Sequence, residues 1–554
     1  LDVGERRLGR NYLPNFEGQL MRPTLIVHNA TILADPAQPL ARRDKALAVF
    51  YDRIAAVGDD AGIRALAGPA TEVVNAGGRL LLPGFVDSHI HLYDLARRRH
   101  QVRLEGTGSL EEVLERVAAR VAAAPAGAWV LGGGWNQYAW GHTEMPVRHA
   151  LDRVAPNHPV ALSRMDGHTI WLNSAALQQC EIGAQTRAPE GGAIDLGPDG
   201  LPNGILREDA IQLVFDRTET PGEDVVAEEL AETIRDLHAL GLTGVHDQRV
   251  RAEGPLMWRL LQRLHREGRL TLRTTTNISP EQLPHAIAAG LQSGLGDDWL
   301  RIGWLKAFAD GTLGSRTALM LEPFEGERGN RGMAVHSAEE IYEWAHQAAM
   351  AGIATSVHAI GDRANRQVLD LYEQLRHSYG PALRHKIEHV QVIHPSDLPR
   401  LAQLGVAASM QTVHIADDWQ PADRFWGERS RYAYAVRSLL DHGTILALGS
   451  DAPVASANPM LGLFTAVARQ DLREQPAGGW YPEERLSIHE ALAAYTVGPA
   501  QVAGSADRLG RLLPGYLADF IVLDRDVTAV EPAAIKDTKV LLTVAGGRVV
   551  HRDL

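Results

Sequence analysis

Eight short strand-like runs, most of them parted by stretches of helical periodicity, constrain this chain more than any other feature in it. They are Phe85 to His91, Leu242 to Asp247, Leu272 to Ile278, Ile302 to Phe308, Ile353 to His358, Lys386 to Ile393, Val406 to Gln411 and Thr444 to Gly449. In Val225 to Leu240, Ala338 to Met350, Ala364 to His377 and Arg431 to Asp441, apolar residues recur at three and four, the spacing of a helix with one buried face. Strand and helix alternating to a total of eight strands predict an α/β fold, a (β/α)8 TIM barrel whose reactive side chains stand at the C-terminal ends of the strands. Such a barrel takes about 250 residues, so a chain of 554 carries additions.

Strand-like pieces at both ends, Leu25 to Leu33, Ala46 to Phe50 and Ile54 to Gly58, then Asp519 to Asp524 and Val540 to Val550, are too short to make stable sheets alone. They predict one composite β-sandwich built from both termini. The expected organisation is an N-terminal extension over 1–21, sandwich parts over 22–80 and 501–554, and the barrel over 81–500. The stretch of about 92–223 exceeds one crossover and is expected as an insertion after the first strand, lying over the barrel mouth, where such segments shape specificity. Within it, Gly132-Gly133-Gly134 lacks a following Gly-Lys-Ser/Thr, so it reads as a tight turn and not a phosphate loop.

Composition excludes several partners. A formal charge of -13 with no basic block argues against nucleic acid and anionic membranes. Cys180 is the sole cysteine, so no intrachain disulfide forms and any metal must rest on His, carboxylate or modified Lys; a reducing, cytoplasmic location is expected. No apolar run reaches the roughly 18 to 20 residues of a membrane span. Leu1 to Leu20 has no apolar core segment and reads as an extension before Met21.

Chemistry-bearing residues cluster at the strand ends. His89 and His91 alternate with Ile90 on an extended strand, so both imidazoles share one face and can grip a divalent metal. Lys306 sits in the apolar Ile302-Gly303-Trp304-Leu305-Lys306; burial lowers a lysine's pKa, and a neutral amine can take up carbon dioxide as a carbamate able to bridge two metals. His358 and His389 punctuate two further strands, as ligands or as hydrogen-bonded core residues. Asp451 ends Ile445 to Ser450, where a carboxylate can cap a helix, ligate or act as a base. All fall at the expected mouth, on strands one, four, five, six and eight. Nitrogen and oxygen ligands with an open position suit a hydrolytic metal.

The words around these residues resemble a known family. Leu82-Pro83-Gly84-Phe85-Val86-Asp87-Ser88-His89-Ile90-His91, Lys306-Ala307-Phe308-Ala309-Asp310-Gly311-Thr312, Val357-His358-Ala359-Ile360-Gly361-Asp362, Ile387-Glu388-His389 and Leu448-Gly449-Ser450-Asp451-Ala452-Pro453 resemble the YtcJ-like branch of the amidohydrolase superfamily (amidohydrolase family 3), which includes N-substituted formamide deformylase. The resemblance implies a TIM barrel with a composite sandwich and a binuclear centre. One metal would take His89, His91, Lys306 and Asp451, the other Lys306, His358 and His389, with Lys306 carboxylated. Zinc is the expected ion, with manganese, iron and cobalt compatible with the same ligands.

The expected activity is hydrolysis of a non-peptide C–N bond of a small molecule, most simply an N-acyl or N-formyl amide, by metal-activated hydroxide with Asp451 as general acid and base. Deamination, or opening of a cyclic amide or lactone, would use the same site; a metal-holding barrel that only binds or senses a ligand is the alternative outside enzymes. Trp135, Asp166, His168, Asn173, Asp310 and Arg316 lie in segments expected to face the mouth, where Arg316 could pair with a substrate carboxylate. A homodimer is the default assembly.

Overall fold

The computed structural model describes residues 22–38, 44–142, 144–165, 169–189, 192–215, 217, 222–248 and 253–554, with the short antiparallel pair Asn15–Phe16 and Gln19–Leu20. Eight parallel strands form the barrel: β1 (Phe85–Ile90), β2 (Leu242–Asp247), β3 (Arg273–Ile278), β4 (Leu300–Phe308), β5 (Thr355–Ala359), β6 (Lys386–His389), β7 (Ala407–Met410) and β8 (Leu446–Leu448). They pair in sequence order from β1 to β8. The ring closes just beyond β8, where Asp451 N–H donates to the His89 carbonyl (2.7 Å) and His91 N–H to the Ala452 carbonyl (2.8 Å).

Helices Ala338–Met350 and Asp362–Tyr379 follow β4 and β5, and the first starts on a capping box in which Ser337 and Glu340 satisfy each other's backbone N–H groups. The stretch expected as one helix over Arg431 to Asp441 is broken: Tyr434 has φ 50°, and the helix proper runs only from Val436 to Asp441. The barrel interior departs from the usual filling of apolar layers, since Lys306, Lys386 and Glu388 are all buried in its wall.

Both termini contribute to the sandwich. One sheet has five strands, Thr31–Ile32, Leu80–Pro83, Phe520–Leu523, Val540–Ala545 and Arg548–Arg552; the other has four, Leu25–His28, Ala46–Phe50, Arg53–Gly58 and Glu72–Asn75. Alternate side chains such as Val27, Val49, Leu81, Phe520 and Leu542 fill the space between them. Gly84 is the sole residue between the sandwich strand Leu80–Pro83 and β1, and a Cβ there would lie 2.3 Å from the Thr243 side chain, so only glycine lets β1 approach β2 so closely. Arg273 at the start of β3 is buried in a two-point pair with Asp519 (2.5 and 2.8 Å), which ties the barrel to the sandwich.

Residues Asp94–Glu229 form a compact unit of their own, around a mixed sheet ordered Val102–Arg103, Val130–Trp135, Val160–Arg164, Thr169–Leu172, Pro202–Glu208 and Gly192–Leu196. Gly132 to Gly134, read from sequence as a tight turn, instead lie within the strand Val130–Trp135. Adjacent backbone explains the small residues: a Cβ on Gly132 would meet the Val102 carbonyl at 2.6 Å. Among the described residues no helix is long and apolar enough to cross a membrane.

Candidate metal centre

At the C-terminal end of the barrel, β1 presents His89 and His91 to Asp451 from the turn after β8. The Nε2 atoms of both histidines lie 3.1 Å from Asp451 Oδ1. Candidate ligand atoms of His89, His389 and Asp451 all lie within 4.8 Å of one another. The His389 ring is 4.7 Å from that of His89 and 4.5 Å from that of His358, so the end of β5 joins the same cluster.

Backbone geometry aims these groups. Period-two alternation along β6 would put His389 on the face of Ile387, opposite Lys386 and Glu388. Left-handed conformations at His389 (φ 75°) and at the β-branched Val390 (φ 43°) end the strand there. Asp451 is left-handed as well, at φ 59°. Non-glycine residues in this region cost about 1–3 kcal/mol each and collect at functional sites.

Hydrogen bonds assign the imidazole protons. His89 Nδ1 lies 2.7 Å from Glu388 Oε2, and Glu388 is held well below the usual carboxylate range, against its burial, by Lys386 and His89. Nδ1 therefore donates to Glu388, and Nε2 is the nitrogen turned to Asp451 Oδ1. His389 Nδ1 is 2.7 Å from the Gln411 amide oxygen, which leaves Nε2 bare in the neutral ring, whereas His358 uses Nε2 against the Gly311 carbonyl at 3.2 Å and keeps Nδ1 free of its proton. Burial depresses His358 to about 3 and His389 well below the ordinary imidazole value, so both are neutral. Asp451 is held well below the usual carboxylate range, despite the desolvation that opposes it, by His89 and His91, and is ionised.

At 3.1 Å an imidazole nitrogen and a carboxylate oxygen share either a proton or a cation, and that spacing suits two ligands about 2.0–2.2 Å from one ion. Lys306 adds a second sign of fit: its Nζ is buried without a hydrogen-bond partner, 4.8 Å from the Phe308 ring centroid. Desolvation lowers its pKa from 10.5 to about 8, countered in part by Glu388 and Asp451. These donors fit a divalent metal centre.

The remaining residues singled out in the sequence fall elsewhere. Trp135 is wholly buried in the core of the Asp94–Glu229 unit, its indole N–H donating to the Leu162 carbonyl at 2.7 Å. Asn173 caps the helix Ser174–Gln179, accepting from Ala176 N–H and Val160 N–H while donating to the Ala155 and His158 carbonyls. Both are occupied by internal packing, which corrects the expectation that they face a substrate. Asp166 and His168 lie outside the described residues. Asp310 is buried, accepts from the N–H groups of Leu319, Ile360 and Gly361, and pins the loops after β4 and β5 together; burial pushes its carboxyl up to about 7. Arg316 is already paired with Glu327, which occupies the charge expected to meet a substrate carboxylate.

Three neighbours of the centre were not singled out by the sequence reading. Glu388 and Gln411 orient His89 and His389. His414, three residues past Gln411, brings Nε2 to 4.0 Å from Asp451 Oδ2, and that buried nitrogen makes no hydrogen bond. The only prior signal for His414 was a histidine just beyond the seventh strand.

The profile of the amidohydrolase family matches residues 72–551. The putative amidohydrolase YtcJ of Bacillus subtilis (strain 168) is 32% identical over 486 residues, covering 87% of this chain and 91% of the relative. The N-substituted formamide deformylase of Arthrobacter pascens is 30% identical over 547 residues, 95% of this chain and 98% of the relative. A solved structure from Pyrococcus furiosus, an uncharacterized metal-dependent hydrolase, superimposes with a TM-score of 0.75 at 30% identity, covering 92% of this chain and 99% of that one. With the profile running through every strand of the barrel, the chain belongs to the amidohydrolase family.

Proposed function

We propose that the chain is a metal-dependent hydrolase acting on a non-peptide C–N bond of a small molecule, an amide of the N-acyl or N-formyl type. The observation that carries this reading is the close approach of His89 Nε2 and Asp451 Oδ1, 3.1 Å apart in a buried cluster with His389. Similarity over nearly its whole length to the Arthrobacter N-substituted formamide deformylase supports the N-formyl choice.

His89, His91, Lys306, His358, His389 and Asp451 would hold two divalent ions, with Lys306 as its carbamate. When bound, such ions supply Lewis acidity and bring the pKa of water near neutrality. The protein's own part is positioning and proton transfer. Asp451 directs Oδ1 at the two histidines and leaves Oδ2 toward His414, so Oδ2 is the atom placed to take a proton from the attacking water. That proton passes to the departing nitrogen, and amide plus water become carboxylic acid plus amine. Lys306 Nζ, buried and unpartnered, supports the carbamate because the neutral amine is the form that adds carbon dioxide.

The test is elemental analysis of the protein as purified, with a carbon-13 carbamate resonance sought after incubation in labelled bicarbonate and turnover assayed on formamides, acyl amides, cyclic amides, lactones and aminopyrimidines. Two equivalents of metal, a carbamate lost in Lys306→Ala, and formamide or acyl-amide turnover abolished by chelation are expected. Metal-free protein at full activity overturns the metal reading; a metalloprotein active only on the other classes overturns the amide assignment.

A further inference from the structure

A recess of about 160 Å³ lies at the other end of the barrel from the metal cluster. The first residues of β4, the turns before β5 and β6, and the end of the helix Ile488–Val502 form its walls. Arg301 and Arg384 stand in its lining with Thr275 and Ser293, and no carboxylate does.

Both guanidiniums are short of partners. Arg301 is partly buried and turns Nε and Nη2 onto one acceptor, the Gly294 carbonyl, at 3.2 and 3.0 Å. Three of its five N–H donors are left over, and among the described residues it has no carboxylate within ion-pairing distance. Burial and then the neighbouring Arg508 oppose its charge, which Asp298 and Asp507 offset only in part. Arg384 lies at the exposed rim, where among the described residues its side chain makes neither a hydrogen bond nor an ion pair. One exposed arginine of this kind is ordinary, since water serves it well. Two cations lining one recess repel each other, the more so as water is excluded. The helix end does not supply the missing charge. A helix C-terminus amounts to about half a negative charge against two whole positive ones, and the carbonyls of Pro499, Ala500 and Gln501 already accept from Ala503, Ser505 and Gly504.

We propose that this recess binds a phosphate group, as inorganic phosphate or as a phosphate monoester, between Arg301 and Arg384. Its double negative charge balances two guanidiniums, and its tetrahedral oxygens accept from both forks at once. The space is ample, since a single water needs about 10–15 Å³. Arg301 opens β4 and Lys306 nears its end, about 16 Å further along the strand. A ligand held at the floor therefore does not compete with one at the mouth, and this inference is independent of the metal reading.

Full-length protein, chelated so that phosphate meets no metal, is titrated by calorimetry at constant ionic strength with inorganic phosphate, glycerol 3-phosphate and acetate. One saturable site is expected for the phosphates, the tighter of the two naming the source, with acetate at least ~10-fold weaker because it carries one charge instead of two. Arg301→Gln should weaken phosphate ~10–100-fold. Arg384→Gln, at an exposed position whose loss leaves the fold intact, should weaken it about 5-fold. No saturable binding in wild type, acetate bound as tightly as phosphate, or an affinity unchanged in Arg384→Gln or in folded Arg301→Gln overturns the proposal.

Discussion

Replacing Lys306 by methionine should make the metal-free protein more stable while abolishing its activity. The Lys306 side chain is buried and its Nζ has no hydrogen-bond partner, so Glu388 and Asp451 offset only part of the ammonium's desolvation. Its pKa falls from 10.5 in the free side chain to about 8, with desolvation the largest cause. At about 1.4 kcal/mol per tenfold change in a protonation constant, keeping the charge in the fold near pH 7 costs about 3 kcal/mol. The sign follows from proton binding. The folded state holds this proton less tightly than the unfolded state, so the penalty is complete below pH 8 and fades as pH rises from about 8 to 10.5. Methionine has a similar volume and no charge. Urea unfolding of both chelated proteins, followed by tryptophan fluorescence, should favour Lys306→Met by about 3 kcal/mol near neutral pH and by about half that near pH 9.5. Adding zinc should reverse the order, because only wild type gains the free energy of a complete site. A chelated Lys306→Met protein less stable than wild type at neutral pH would refute the reasoning, as it would mean that the amine has favourable partners.

Further substitutions separate the roles around the centre. Asp451→Asn keeps an oxygen donor but loses the base, so metal content should stay close to that of wild type while turnover disappears; unchanged kcat would remove Asp451 from proton transfer. His414→Ala should lower kcat by ~100-fold with bound metal unaltered, since the ring faces the Asp451 oxygen turned away from the histidine pair; a full loss of metal instead would make it a ligand. Gly498→Ala should destabilise the barrel by about 1–3 kcal/mol, because the added Cβ would lie 1.9 Å from the Leu446 carbonyl oxygen of β8, and a wild-type melting temperature would contradict that packing.

Local patterns that agree with the global fold were readable from the sequence. β2 matches its expected bounds because Leu242 to Asp247 is buried on every residue and is preceded by the glycine of a turn. The helix Ala338–Met350 also matches, with its start written in Ser337 and Glu340. β6 was overestimated because its end is set by left-handed backbone at His389 and Val390, and a β-branched residue there ordinarily signals continued strand. The ligand candidates stood out by residue type and strand position, whereas Glu388, Gln411 and His414 act through distances between strands that no single segment carries. Trp135 and Asn173 failed for the opposite reason: an aromatic or amide in a polar loop can serve a core or a helix cap equally well, and Asn173 before Ser174-Ala175-Ala176-Leu177 already spelled a cap.

The bonds that close the ring beyond β8 join residues from opposite ends of the barrel sequence, Asp451 to His89 and His91 to Ala452. The first half of the cluster is thus made early in synthesis and stays incomplete until the chain has passed Ala452. A fragment lacking that last turn lacks Asp451 and its bond to His89, so on the proposed reading cation uptake would mark the completion of the circle. A nascent chain would remain chemically silent until then, spared premature reaction by the order in which its residues emerge.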